Sequence, residues 1–237
     1  KKDKKFAYAC SFGVSEIPER KKDIIKDYLK KYDDISVREE KGSDIVRKLI
    51  GKDVPLTVDP TILISPEEWS EKAAIPEIKG EYVFAYFLSY KDEYKKIAQK
   101  VADKYNCKVV MIPTQKEHYS FDATLVENAG PKEWLGFVKN AKAVVTDSFH
   151  GSIFSLLFKK DFYVTKRFND DNVKSQNSRI YTLLNTYGCN ECMVSKLDDA
   201  GKQHTFDWED IYRKIELNSA YSKEWLTNNL SGMKNEK

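Results

Sequence analysis

VVTDSFHGSIFSLLF, residues 144–158, decides how this chain is read. Val144 to Thr146 have the character of a buried strand, Asp147, Ser148 and His150 interrupt it, and Ser152 to Phe158 carry an apolar helical pattern behind Gly151. A strand that ends in polar side chains and turns through glycine into a helix is a joint of a parallel sheet, and in such sheets ligands bind beyond the carboxyl ends of the strands. An imidazole there is useful, because its reference pKa of about 6.5 lets it carry or release a proton near neutrality. Asp147 is placed to orient the ring. A helix that begins at Ser152 offers backbone N–H groups to a phosphate or carboxylate, and Gly151 removes the Cβ that would block close approach. The opposite reading stays open: a structural histidine, with Asp147 as a helix cap.

The same alternation runs outward in both directions. FAYACSFG (6–13) reads as a strand into a glycine turn, KKDIIKDYLKKY (21–32) as a helix with Ile24, Ile25, Tyr28 and Leu29 on one face, and DISVR (34–38) as a strand. A short helix over 42–50 turns Ile45, Val46 and Leu49 inward, and PLTVDPTILIS (55–65) reads as a further strand and crossing. The charged, proline-bearing stretch to Gly80 marks a boundary. Beyond it come YVFAYFL as a strand, DEYKKIAQKVADKY as an amphipathic helix, and CKVVMIP as a strand. A polar loop holding His118 leads to the helix GPKEWLGFVKNA, whose Pro131 suits a first turn, and then to the strands KAVVTD and DFYVT. Strands alternating with single helices predict α/β units with parallel, doubly wound sheets. We assign residues 1–75 to a first unit and 76–237 to a second, with the late helices NSRIYTLLNTYG and DWEDIYRKIELNSAYSKEWLTNNL covering the sheet or clasping the first unit.

At 237 residues and 41% apolar content the chain can bury a substantial core. Lys and Arg total 40 against 37 Asp and Glu, a net charge of +3 with both signs interspersed, which is too balanced to predict a nucleic-acid or membrane partner. Four cysteines, of which only Cys189 and Cys192 are closely spaced, do not form a disulfide scaffold. The pair CNEC reads as reduced and structural, since no second cysteine pair or well-spaced histidine completes a metal site. GxGxxG and GxxxxGK[ST] motifs are lacking, so neither a dinucleotide cofactor nor a Walker-type phosphate loop is expected. Without a signal peptide or long apolar span the expected compartment is the cytoplasm.

Two arginines join His150 as anion-binding candidates. Arg38 ends a strand, where its guanidinium can offer two parallel donors or simply pair with Glu39 or Glu40; Arg179 opens a helix near Ser175 and Ser178, where a cap or ion pair is the plain alternative. Asp59-Pro60 reads as a structural crossing. His118 lies in a loop able to reach the same cleft as His150, and His204 reads as a surface residue.

The chain resembles the polysaccharide pyruvyl transferase family. The segments that carry the resemblance are AYACSFG (7–13), ISVREEKGSDIV (35–46), LTVDPTILI (56–64), GPKEWLGFVKNAKAVVTDSFHGSIFSLLFKKDFYV (130–164), NSRIYTLL (177–184) and the closing DWEDIYRKIELNSAYSKEWLTNNL. Family members are typically longer at the amino end, so the resemblance implies that residues 1–75 are the later part of a first Rossmann-like domain. It implies a GT-B-like arrangement of two such units, the first incomplete, and transfer of a pyruvyl group from phosphoenolpyruvate to two hydroxyls of one sugar, without a metal. The acceptor would be a saccharide or its lipid- or nucleotide-linked precursor, which brings the protein to the inner face of the membrane. On that basis His150 and Asp147 are the catalytic candidates, with Arg38, Ser148, Gly151, Ser152, Arg179 and His118 binding substrate. The chain departs from the family where an arginine often stands two positions before the motif histidine: Ser148 occupies that place. A GT-B-like glycosyltransferase using an activated sugar, or a non-catalytic binding module, is the alternative that this departure keeps open.

Overall fold

A computed structural model describes residues 4–170, 172 and 175–234; the lysine-rich lead-in at residues 1–3 lies outside them. The chain forms two compact units: residues 1–63 with 168–188 and 209–237, and residues 64–167 with 189–208. The division falls at Leu63 where the sequence reading put it near residue 75, and the chain returns twice to the first unit, so residues 76–237 do not all belong to the second.

In the first unit strands β1 (Phe6–Cys10) and β2 (Asp34–Val37) pair in parallel, Ala7 opposite Ile35. Helix α1 (Glu19–Leu29) connects them, and α2 (Glu40–Ile50) follows β2, burying Ile45 and Val46 and ending at Gly51 in the left-handed region. Ile35, Val37, Val46 and Val54 form the small core, with Ala7, Phe12, Leu29 and Ile50 packed around it. The expected apolar face of α1 is not buried: Ile24 and Tyr28 are 58% and 59% exposed. The strand expected over 55–65 reduces to one parallel bridge, Val37 to Leu56, and then a 3-10 turn over Pro60–Leu63. Pro55 and Pro60 bring no N–H to a ladder, so the apolar run between them does not extend one. The returning helices are α7 (Asn177–Tyr187) and α8 (Trp208–Lys234); from α8, Trp225 packs its ring 5.9 Å from both Phe6 and Tyr8, and Ser222 accepts the Val58 N–H at 3.0 Å.

The second unit opens with α3 (Pro66–Lys72), capped reciprocally by Ser65 and Glu68. Its six-stranded parallel sheet is built from β3 (Tyr82–Tyr86), β4 (Lys108–Met111), β5 (Thr124–Leu125), β6 (Ala143–Thr146), β7 (Asp161–Thr165) and β8 (Met193–Val194), in the order β5-β4-β3-β6-β7-β8. Helix α4 (Asp92–Tyr105) buries Tyr94, Ile97, Ala98, Val101 and Ala102 against Val83, Ala85, Val109 and Val145 on one face. Helix α5 (Pro131–Asn140) serves the other, where Phe137 stacks on Phe84 at 5.7 Å and the Tyr82 hydroxyl donates to the Phe137 carbonyl. Both units are therefore α/β with parallel sheets, as the alternation predicts. Strand β6 is central, buried along its length between β3 and β7, with Thr146 opposite both Tyr86 and Val164. Helix α6 (Phe149–Leu157) leaves its carboxyl end three residues earlier than expected, because Ser148 caps it.

Candidate functional site

The helix that begins at Phe149 puts His150 in its first turn, exposed, with the Phe149 ring edge-on at 5.5 Å. The residues around it are engaged in building this joint. Ser148 Oγ accepts the Gly151 N–H at 3.2 Å, and the Ser148 carbonyl accepts both the N–H and the hydroxyl of Ser152, at 3.0 and 3.1 Å. Ser148, Gly151 and Ser152 are all buried. The expectation that the Gly151–Ser152 amides hold an anion is thus corrected: those amides are occupied by Ser148, as the N-cap position dictates. Gly151 is required for a different reason, since a Cβ there would lie 2.6 Å from Thr146 Oγ1 and 3.0 Å from its methyl. Gly151→Ala is expected to cost about 1–3 kcal/mol of stability by overpacking, measured by urea unfolding; an unchanged midpoint contradicts the close packing of α6 on β6.

Asp147 does not orient His150. Its buried carboxylate accepts the N–H groups of Leu88 (2.6 Å) and Ser89 (3.0 Å) and the Ser89 hydroxyl (2.6 Å), and lies 3.5 Å from Arg167 Nε. It is a clamp on the loop between β3 and α4, and the catalytic expectation for it is withdrawn on that geometry. Arg167 was missed in the sequence, although TKRF follows β7 as TDSF follows β6. Lys91, the residue that precedes α4, and Tyr94 within it donate to the Lys166 carbonyl at 2.7 and 3.1 Å, which fixes the backbone where Arg167 emerges. Tyr86, at the carboxyl end of β3, has its phenol pushed up by burial and by the Asp147 charge, with Arg167 opposing.

The other two histidines are structural. His118 is fully buried: Nδ1 accepts the Thr114 N–H and Nε2 sits 3.1 Å from the Ser89 carbonyl, a pairing that places the ring proton on Nε2. It therefore does not reach a substrate cleft. His204, expected at the surface, is 5% exposed, with Nδ1 2.9 Å from Asp161 Oδ1 and 3.9 Å from Cys192 Sγ. Burial acts to raise the Asp161 carboxyl, but the hydrogen bonds from His204 and Tyr105 hold it below its ordinary value. Cys189 and Cys192 are buried thiols not joined by a disulfide, and the hydrogen bond to Cys189, together with burial, pushes the Cys192 thiol up. No group of three or more His, Cys, Asp or Glu among the described residues is arranged to hold a metal ion.

In the first unit the charges of Arg38 and Arg179 both act on the Glu39 carboxyl. Arg38 Nη1 donates to Asp59 Oδ2, and Asp59 Oδ1 accepts the N–H and hydroxyl of Thr61 at 3.1 and 2.8 Å. Arg179 donates to Gln176. Glu39, 1% exposed, accepts the Phe12 N–H at 3.1 Å; burial raises its carboxyl, with Ser11, Phe12, Arg38 and Arg179 opposing. A raised acid binds more protons folded than unfolded, so its contribution is present below the ordinary carboxylate range and is lost as pH rises through the raised value. In Glu39→Gln that loss is absent, so the Tm difference, variant minus wild type, grows across this window; a pH-independent difference contradicts the assignment.

Residues 1–166 match the polysaccharide pyruvyl transferase family. No curated protein matches the chain. Among solved structures the chain is similar to the wall teichoic acid polymerase TagF, at 11% identity and a TM-score of 0.44, covering 99% of this chain and 66% of that one. It is also similar to a UDP-N-acetylglucosamine 2-epimerase from Rickettsia bellii, at 11% identity and a TM-score of 0.49, covering 97% of this chain and 68% of that one.

Proposed function

Because the chain belongs to the polysaccharide pyruvyl transferase family, we propose that it moves a pyruvyl group from phosphoenolpyruvate to two hydroxyls of one sugar in a cell-surface polysaccharide or its precursor. In that reaction C3 of the donor takes a proton, C2 becomes electrophilic, and a sugar hydroxyl adds to it. Phosphate then leaves with its bridging oxygen, and the second hydroxyl closes the ketal. The two hydroxyl protons end on C3 and on phosphate, so the chemistry needs a group that takes and returns protons near neutral pH.

The observation that carries this reading is the placement of His150: of three histidines it alone is exposed, in the first turn of the helix leaving the central strand. His150 takes the proton of the attacking hydroxyl and delivers one to C3. No described helix is long and apolar enough to cross a membrane. A lipid-linked acceptor brings the protein to the inner face of the membrane.

The test is incubation of the full-length protein with phosphoenolpyruvate and saccharide acceptors, following phosphate release and acceptor mass. Phosphate released in step with pyruvyl addition is the expected result. Turnover of a nucleotide sugar without use of phosphoenolpyruvate replaces this reading with glycosyl transfer.

A further inference from the structure

Helix α1 buries none of its residues, and the chemistry of its exposed side is sorted into rows. Ile24 and Tyr28, one turn apart, are 58% and 59% exposed, and Tyr32 beyond the helix end continues their row at 41%. Arg20 and Lys21 lie one turn before Ile24, Lys31 lies one turn after Tyr28, and all three are exposed. Lys31 Nζ sits 4.5 Å from the centre of the Tyr28 ring. Glu19, Asp23 and Asp27 recur at four-residue spacing and form a separate row beside this one. From residue 19 to residue 32 six Lys and Arg stand against three Asp and Glu, whereas the whole chain is close to balance at 40 against 37. Two more lysines reach the turn after α1: the Asp33 N–H donates to the Lys5 carbonyl at 2.8 Å, and Lys52 Nζ donates to the Asp33 carbonyl at 2.7 Å.

An apolar and phenolic row bordered by cations, on the convex side of a helix, suits a flat anionic surface that is apolar just beneath its charge. An acidic bilayer is such a surface, with headgroups for the cations and an acyl boundary for the side chains between them. A polyanion in water takes the cations but gives Ile24 nothing to bury against. We propose that α1 is a docking surface for an acidic phospholipid membrane, with Ile24, Tyr28 and Tyr32 entering the boundary and Arg20, Lys21 and Lys31 on the headgroups. The surface lies wholly in the first unit and uses no residue of the proposed transfer chemistry, so it stands or falls apart from the pyruvyl reading.

Sedimentation of the full-length protein with vesicles of phosphatidylcholine and phosphatidylglycerol in equal parts, and with phosphatidylcholine alone, tests this. Binding is expected to the mixed vesicles only, weakening as salt rises. A surface lysine or arginine is worth about fivefold in affinity, so Arg20→Gln, Lys21→Gln and Lys31→Gln combined should lower it about a hundredfold. Ile24→Ser with Tyr28→Ser should lower it about tenfold, and Glu19→Gln with Asp23→Asn should not weaken it. These side chains are exposed, so unfolding midpoints and pyruvyl transfer to a soluble acceptor are expected to stay close to wild type. No sedimentation with the mixed vesicles, equal sedimentation with phosphatidylcholine alone, or unchanged binding in either the Gln or the Ser variant overturns the proposal. Binding to heparin that the Gln variant loses and the Ser variant keeps, with no binding to vesicles, identifies a polyanion surface and overturns it as well.

Discussion

His150→Ala is expected to lower phosphate release from phosphoenolpyruvate in the presence of acceptor by a factor of about 10²–10⁴, the usual worth of a positioned proton-transfer group. The fold should survive the change. The ring is exposed in the first turn of α6, the cap on that turn comes from Ser148, and the close contact beneath it comes from Gly151 and Thr146. A normal unfolding midpoint with lost transfer is thus the expected pair of results. Transfer within a few-fold of wild type, measured by acceptor mass, contradicts the role given to this imidazole.

Asp147→Ala should act in the opposite manner, on stability first. It strands two backbone N–H groups and a hydroxyl and removes the carboxylate 3.5 Å from Arg167 Nε. Removing one partner of such a pair costs about 3–5 kcal/mol, because the remaining charge and donors lose compensation they cannot all recover from water. Asp147→Asn keeps an acceptor of similar shape but not the charge, and is expected to lie between. Urea unfolding measures both, and a loss below about 1 kcal/mol for the alanine variant contradicts the clamp.

The parallel α/β units were legible because their signals are local. Helix α4 follows from apolar spacing in DEYKKIAQKVADKY, and β6 from AVVT bounded by charge, with no knowledge of neighbours required. The first turn of α6 was placed late because SFHG looks like a loop; only its capping bonds show that Ser148 starts the helix. Pro55 and Pro60 are plain in the sequence, but the apolar content of the 55–65 run masks their effect on the ladder. The histidines went wrong for a different reason. His118 and His204 sit in polar stretches, and what buries them comes from distant residues: Ser89 for one, Asp161 and Cys192 for the other. The bonds of Asp147 to Leu88 and Ser89 and its contact with Arg167 follow only from strand order, because β3 and β7 flank β6 without being consecutive with each other in the chain.

The exposed imidazole can be addressed chemically without any assumption about the acceptor. The chain has three histidines, of which His118 is fully buried and His204 is 5% exposed. Brief treatment of the folded full-length protein with diethylpyrocarbonate, followed by peptide mass mapping, should label His150 alone, with phosphoenolpyruvate slowing the labelling and the labelled protein unable to transfer pyruvyl groups. Labelling of His118 or His204 at a comparable rate, or labelling of His150 that phosphoenolpyruvate does not slow and that leaves transfer intact, would contradict the account.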